Sequence, residues 1–254
     1  MKFVRTLILP LAVLLMFASV GAEDGPVFEM RTYYANEGKL DDLLTRFRDH
    51  TVSLFEKHGM ENVGYFVPEN NPDSILVYFL SYPSRDARKA SWKGFVNDPD
   101  WKGAFAASKV NGKLVAKVES QFLMLTDYSP KLRIKKSKKP RLFEMRTYTA
   151  AEGKLSHLDY RFANDTIRIF EKHGMTNVAY WHPMSDQEGH GNTLIYLLAY
   201  KDSKAHEKAW TGFRADPDWK AAAARSKERA NGGLLVKNGV QSQMLKSVDF
   251  SPMR

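Results

Sequence analysis

The residues best suited to chemistry lie on two short, near-identical segments. Glu29, Arg31 and Tyr33 alternate along one, and Glu144, Arg146 and Tyr148 along the other. Such alternation puts each trio on one face of a strand. A buried arginine needs an anionic partner, and a glutamate two residues away on the same face can supply it. The pair then serves either as a structural ion pair fixing a seam of the fold or as the polar wall of a pocket. A pocket of that kind would take a small anionic or polar ligand, with Tyr65, Tyr78, Tyr180 and Tyr196 as further lining.

His58 and His173 are the next candidates. Each ends an apolar helical stripe and precedes a glycine, Gly59 or Gly174. A histidine there is accounted for by the helix C-terminus, whose carbonyls and dipole favour it, without any role as catalytic base or haem ligand. Trp92, Trp101, Trp210 and Trp219 read as anchors of a helix–sheet layer. His182, Asp186, Glu188 and His190 are metal-ligand types, but they lack a metal-site spacing and occur once, so no metal site is assigned. His206-Glu207 opens like a zinc-protease helix, yet position 210 is Trp where the second histidine is required. Gly38-Lys39 and Gly153-Lys154 lack the glycine spacing of a phosphate loop. There is no Gly-x-Ser-x-Gly elbow and no cysteine, which removes lipase-type and thiol chemistry.

The elements that must position these residues occur twice. Phe28-Glu29-Met30-Arg31-Thr32-Tyr33 returns at 143–148, Phe55-Glu56-Lys57-His58-Gly59-Met60 at 170–175, and Asp98-Pro99-Asp100-Trp101-Lys102 at 216–220. Each copy starts with a strand and continues into a helix whose apolar residues recur every three or four positions, from Leu40 to His58 and from Leu155 to His173. A short strand follows (Val63 to Val67, Val178 to His182). Next comes a strand apolar on both faces (Ser74 to Leu80, Leu194 to Ala199). The second helix is read as broken at Asn97-Asp98, because Asp98 suits an N-cap and Pro99 the first helical position. A last strand (Val118 to Leu125, Val240 to Leu245) closes the unit.

The order β-α-β-β-α-β is the ferredoxin-like plan, in which helices cover one face of an antiparallel sheet. A third strand apolar on both sides needs cover on the other face too. The expected fold is therefore α+β, two ferredoxin-like units joined within one chain as a dimeric α/β barrel, helices outside. Both Glu-Arg-Tyr trios are expected to point into the barrel. The expected organisation is a leader over residues 1–22, a first unit over 23–127, a basic linker over 128–142 and a second unit over 143–254.

The leader is read from Lys2 and Arg5, the apolar run Leu7 to Phe17 and the small residues ending at Ala22, with cleavage after Ala22. Export to the periplasm or beyond is the expected localisation. The run is shorter than the roughly 20 residues a membrane helix needs, and no later segment is long and apolar enough to span. Removing the leader lowers the net charge from +9 to +7. Much of the excess sits between Tyr128 and Leu142, where Lys131, Arg133, Lys135, Lys136, Lys138, Lys139 and Arg141 meet no acid. Such a run reads as an exposed linker, and without interleaved aromatics it is no nucleic-acid site.

These linked motifs also resemble the NIPSNAP family. The Glu-Met-Arg-Thr-Tyr strand, the Glu-Gly-Lys-Leu helix start, the Lys-His-Gly-Met helix end and the Asp-Pro-Asp-Trp restart carry the resemblance, as do Tyr82 and Tyr200. It spans Phe28 to about Leu125 and Phe143 to about Leu245. It implies a dimeric α/β barrel, similar in fold to cofactor-free mono-oxygenases and haem-degrading enzymes, with no agreed reaction and no resident cofactor. The function expected is a binding or interaction module for a small molecule or a protein partner, with further self-association left open. The alternatives are a cofactor-independent mono-oxygenase using Arg31, His58, Tyr65 and Tyr78, or a haem-binding barrel. The family pattern implies Arg88 on the second helix, where copy two has His206. Copy two also has a longer loop, Met184 to Asn192.

Overall fold

The computed structural model describes residues 25–134 and 140–254, so the leader and positions 135–139 of the linker lie outside the described residues. Copy one runs β1 (Val27–Ala35), α1 (Leu40–Arg46), α2 (Val52–Lys57), β2 (Glu61–Pro68), β3 (Ile75–Tyr82), α3 (Arg85–Asn97), α4 (Pro99–Ala107) and β4 (Val115–Leu125). Copy two repeats it as β5 (Leu142–Ala150), α5 (Leu155–Arg161), α6 (Ile167–Lys172), β6 (Thr176–Pro183), β7 (Thr193–Tyr200), α7 (Ser203–Ala215), α8 (Pro217–Arg229) and β8 (Leu235–Ser247). The strands close into one barrel in the order β1-β3-β2-β8-β5-β7-β6-β4. All its pairings are antiparallel. The copies meet at two seams, β2 with β8 and β4 with β6.

Local chemistry explains the breaks. Asp98 accepts from the Asp100 backbone N–H at 2.8 Å and Pro99 takes the first helical position, so α3 stops and α4 restarts where the sequence places the kink. Gly59 and Gly174 adopt φ of +74° and +78° beyond the helix ends, a conformation that costs glycine little. Between α1 and α2 the helix widens: the Val52 N–H reaches back to the Phe47 carbonyl, and Ile167 does the same to Phe162. This π turn, Phe47–Thr51, inserts one residue and keeps both Phe47 and Thr51 buried.

The barrel interior holds a packed apolar cluster. Phe79 stacks on Trp181 at 5.2 Å, and Phe66 meets Phe143 at 4.9 Å across the seam between copies. The Glu-Arg-Tyr trios do not point there. Glu29, Arg31 and Tyr33 face the helices, against Arg88, Trp92 and Phe47, while Phe28 and Met30 join the interior cluster. The physical reason is room and partners. An eight-stranded barrel has an interior that side chains just fill, whereas the helix layer supplies donors for a carboxylate.

The described residues of the linker are also less exposed than its charge suggests. Leu132 and Ile134 pack on the barrel cluster, the Tyr180 N–H donates to Ser129 Oγ, and the Tyr128 hydroxyl donates to Asp159. The C-terminal tail mirrors this on copy one, where the Tyr65 N–H donates to Ser251 Oγ and Arg48 pairs with Asp249 at 2.9 Å. Each copy's tail thus crosses to the other, burying apolar residues that a run of lysines conceals in sequence.

Two glycines test this packing. A Cβ on Gly94 would sit 2.7 Å from Nδ1 of His58, a ring held by Asp98, whereas a Cβ on Gly103 meets nothing. Gly94→Ala is expected to destabilise by about 1–2 kcal/mol in chemical denaturation despite better helix propensity, while Gly103→Ala stabilises by about 0.5–1 kcal/mol.

Candidate functional site

The polar groups of copy one gather around Glu29, a residue with no exposed surface. Its carboxylate accepts from Arg31 Nη1 (2.5 Å), Arg88 Nε and Nη2 (3.0 and 2.8 Å), Ser120 Oγ (2.7 Å) and the Tyr82 hydroxyl (3.0 Å). Burial opposes its ionisation. The Arg88 hydrogen bonds and the Arg31 charge outweigh that and hold the carboxyl at about 2. In copy two Glu144 accepts from Arg146 (2.5 Å), Ser242 (2.6 Å), Tyr200 (2.7 Å) and Trp210 Nε1 (2.9 Å), with His206 at 3.3 Å in place of Arg88. Both nodes are satisfied by protein groups from three strands and a helix.

Of the other expected site residues, the tyrosines adjoin these nodes and the histidines do not. Arg31 Nε donates to the Tyr78 hydroxyl at 2.9 Å, and its guanidinium lies 4.4 Å from the Trp92 ring. Tyr65 stacks on Tyr78 at 5.2 Å and gives its hydroxyl to Asn62, and Tyr180 and Tyr196 repeat the stack. Burial pushes the Tyr65, Tyr78, Tyr180 and Tyr196 phenols well above their usual value. His58 lies apart, bound through Nε2 to Asp98 Oδ2 at 2.7 Å, and His173 binds Asp216 at 2.6 Å. The histidine's partner is thus the N-cap aspartate of α4 or α8 rather than carbonyls of its own helix. Hydrogen bonds from Lys57 and then His58 hold the Asp98 carboxyl well below the usual range. Tyr148 packs edge-on to Tyr196 and Phe162. His182 binds the Thr193 carbonyl and Asp159, while Asp186 pairs with Arg85 at 3.0 Å. His182 thus stays within copy two, while Asp186 of the longer loop joins the two copies.

What the helix layer of copy one does hold is a cavity of about 350 Å³. Tyr33 and Val115–Val118 form its sheet side. Phe47 and Thr51 of the π turn, Trp92, Phe95 and Val96 of α3, and Trp101 and Phe105 of α4 form the rest. Arg46 lines it, and Lys109, Lys113 and Lys117 are the other cations there. Arg46 is placed by the π turn, since the Thr51 hydroxyl donates to its carbonyl at 3.2 Å. Of the residues expected at a site, only Tyr33 reaches this cavity. Arg46 went unnoticed because it lies between apolar residues of one stripe. Its signal was a charged residue beside that stripe in both copies, Arg46 and Arg161.

Fold and cavity together define an intramolecular dimeric α/β barrel with an aromatic pocket in its helix–sheet layer. The NIPSNAP family model matches residues 28–130 and 143–252, so the chain belongs to the NIPSNAP family. Among solved structures, one from Lactobacillus acidophilus described as a candidate monooxygenase is similar over 88% of this chain and 94% of its own, at 9% identity and a TM-score of 0.56. One from Fusobacterium nucleatum with the same description covers 89% and 94%, at 10% identity and a TM-score of 0.56. These two resemble the chain in fold across both copies. A NIPSNAP family protein from Agrobacterium tumefaciens aligns with 41% of this chain and 97% of its own, at 26% identity and a TM-score of 0.38. A search of curated proteins returns no match.

The Glu29 node makes a pH prediction. Its folded pKa of about 2 lies below the ordinary 4.5, so its contribution is complete above about pH 4.5 and fades as pH falls towards 2. Glu29→Gln should cost on the order of 3 kcal/mol at pH 7. Urea titrations of both proteins should show that difference shrinking between pH 5 and pH 2.

Proposed function

We propose that this NIPSNAP-family protein is a small-molecule-binding module whose ligand site is the copy-one cavity. The observation carrying the reading is the contrast between two spaces. The barrel interior is closed by stacked aromatics, while the helix layer of copy one leaves a concave, largely aromatic space with a few polar groups. Its size lies within the range of small-molecule pockets, about 300–1,000 Å³.

The oxygenase alternative has weaker support. Arg31, His58, Tyr65 and Tyr78 are spent on protein partners, and the buried phenols stay protonated at neutral pH, so the quartet offers no free base facing a ligand. Likeness in fold to candidate monooxygenases does not transfer a reaction. The haem alternative lacks an axial ligand, since no histidine lines the cavity among the described residues.

N-Phenyl-1-naphthylamine, a neutral two-ring fluorophore, should bind the purified protein at one site with enhanced emission. Val96→Trp and Ala116→Trp, at exposed lining positions, should each weaken it about tenfold or more with circular dichroism unchanged. Unaltered binding by both variants would place the ligand elsewhere.

The binding module is further proposed to work outside the cytoplasm. The support is the charged start, apolar run and small residues of positions 1–22. Mass spectrometry of the exported protein should find Glu23 as its first residue; a retained leader would argue for an anchored form.

A further inference from the structure

Arg46 is an odd residue to find in an apolar wall. It is 6% exposed, and its Nε has no hydrogen-bond partner. Nη1 donates to Ser108 Oγ at 3.2 Å, and the guanidinium lies 5.3 Å from the Trp101 ring and 5.5 Å from that of Phe105. All of these contacts are neutral. No carboxylate pairs with Arg46 among the described residues. Asp42 and Asp49 border a separate surface cleft that Arg46 also lines, and there Asp42 is taken by Lys39 at 3.1 Å. A charge withdrawn from water without a counter-ion is costly, and rings alone offset only part of that cost.

Copy two repeats the buried arginine with a different lining. Arg161 is the equivalent of Arg46, equally buried and seated over Trp219 at 5.1 Å. One turn further on stands Asp165, at the position that His50 holds in copy one; it forms no ion pair with Arg161, whose Nε is likewise without a hydrogen-bond partner. Asp165 is itself held at 2.9 Å by Arg225, where copy one has Ala107. The lining differs: Phe105 of copy one is Ala223, and Val96 is Arg214. Copy one therefore carries the aromatic wall that copy two does not, with its buried arginine lining the cavity. Lys109 and Lys113 add positive potential at that cavity.

We propose that the copy-one cavity takes a small aromatic carboxylate, whose anionic group is the counter-ion Arg46 lacks and whose ring lies among Phe47, Trp101 and Phe105. Arg46 lines the cavity, and its guanidinium can meet a carboxylate oxygen through an Nη hydrogen, with Trp101 and Phe105 packed beside the contact. The assignment rests on the cavity being the ligand site and adds to it a charge, an anchor and a choice of copy.

The test is a pair of probes of one shape and different charge, 2-naphthoate and 2-naphthamide, titrated calorimetrically into the full-length mature protein. The naphthoate should bind about tenfold tighter or more. Arg46→Gln should erase that preference while leaving the naphthamide affinity within a few-fold, and Arg161→Gln should leave the preference intact. Equal affinities in the wild type, or a preference that survives Arg46→Gln, would overturn the anion assignment while leaving the cavity as a site for neutral ligands. No binding of either probe would remove both readings. Should Arg46→Gln fail to fold, the wild-type Arg46 Nε–Hε resonance decides: it must shift with naphthoate and stay put with naphthamide. A resonance indifferent to naphthoate overturns the assignment.

Discussion

A carboxylate sealed away from water must be satisfied entirely by protein, and in each half of this molecule one such group sets the geometry of everything around it. Glu29 takes donors from β1, β3, β4 and α3 at once, through Arg31, Tyr82, Ser120 and Arg88. Moving any one of these elements would leave a buried charge or a buried donor unpaired, which costs more than a typical hydrogen bond contributes. The node therefore pins α3 in register over the sheet. That register carries Trp92 and Phe95 to the cavity, and the Asp98 cap directs α4 so that Trp101 and Phe105 follow. The ligand site is a consequence of where the carboxylate holds the helix.

The plan of the fold was legible because it depends on local signals, each present twice. A proline after a capping aspartate breaks a helix, a glycine ends one, and a strand apolar on both sides demands cover on both sides. Those features sufficed for the element order and for barrel closure within one chain. Which face of β1 looks inward was not legible. Alternation shows that two faces differ, but here both are buried, one among apolar rings and one among polar partners contributed by a distant helix. The Arg88 that settles the matter lies 59 residues from Glu29. Arg46 was hidden for another reason. Its inward placement depends on the π turn that follows, and a stripe counted at 3.6 residues per turn does not register one extra residue.

The two copies disagree at positions of different kinds, and the disagreements carry different weight. Arg88 against His206 falls on the carboxylate node, and the fold absorbs it. Where copy one sends the Trp92 indole N–H to Tyr82, copy two sends that of Trp210 to Glu144 itself, replacing a donor that the arginine would have given. That exchange preserves architecture. His50 against Asp165 and Phe105 against Ala223 are not rebalanced in this way. They leave copy one with an aromatic wall around its buried arginine that copy two does not have. Duplication makes such an asymmetry tolerable, because the barrel needs both halves for closure but needs a cavity from neither. One half can then carry a charge that only a ligand completes, while the saturated node of the other keeps the shared barrel closed.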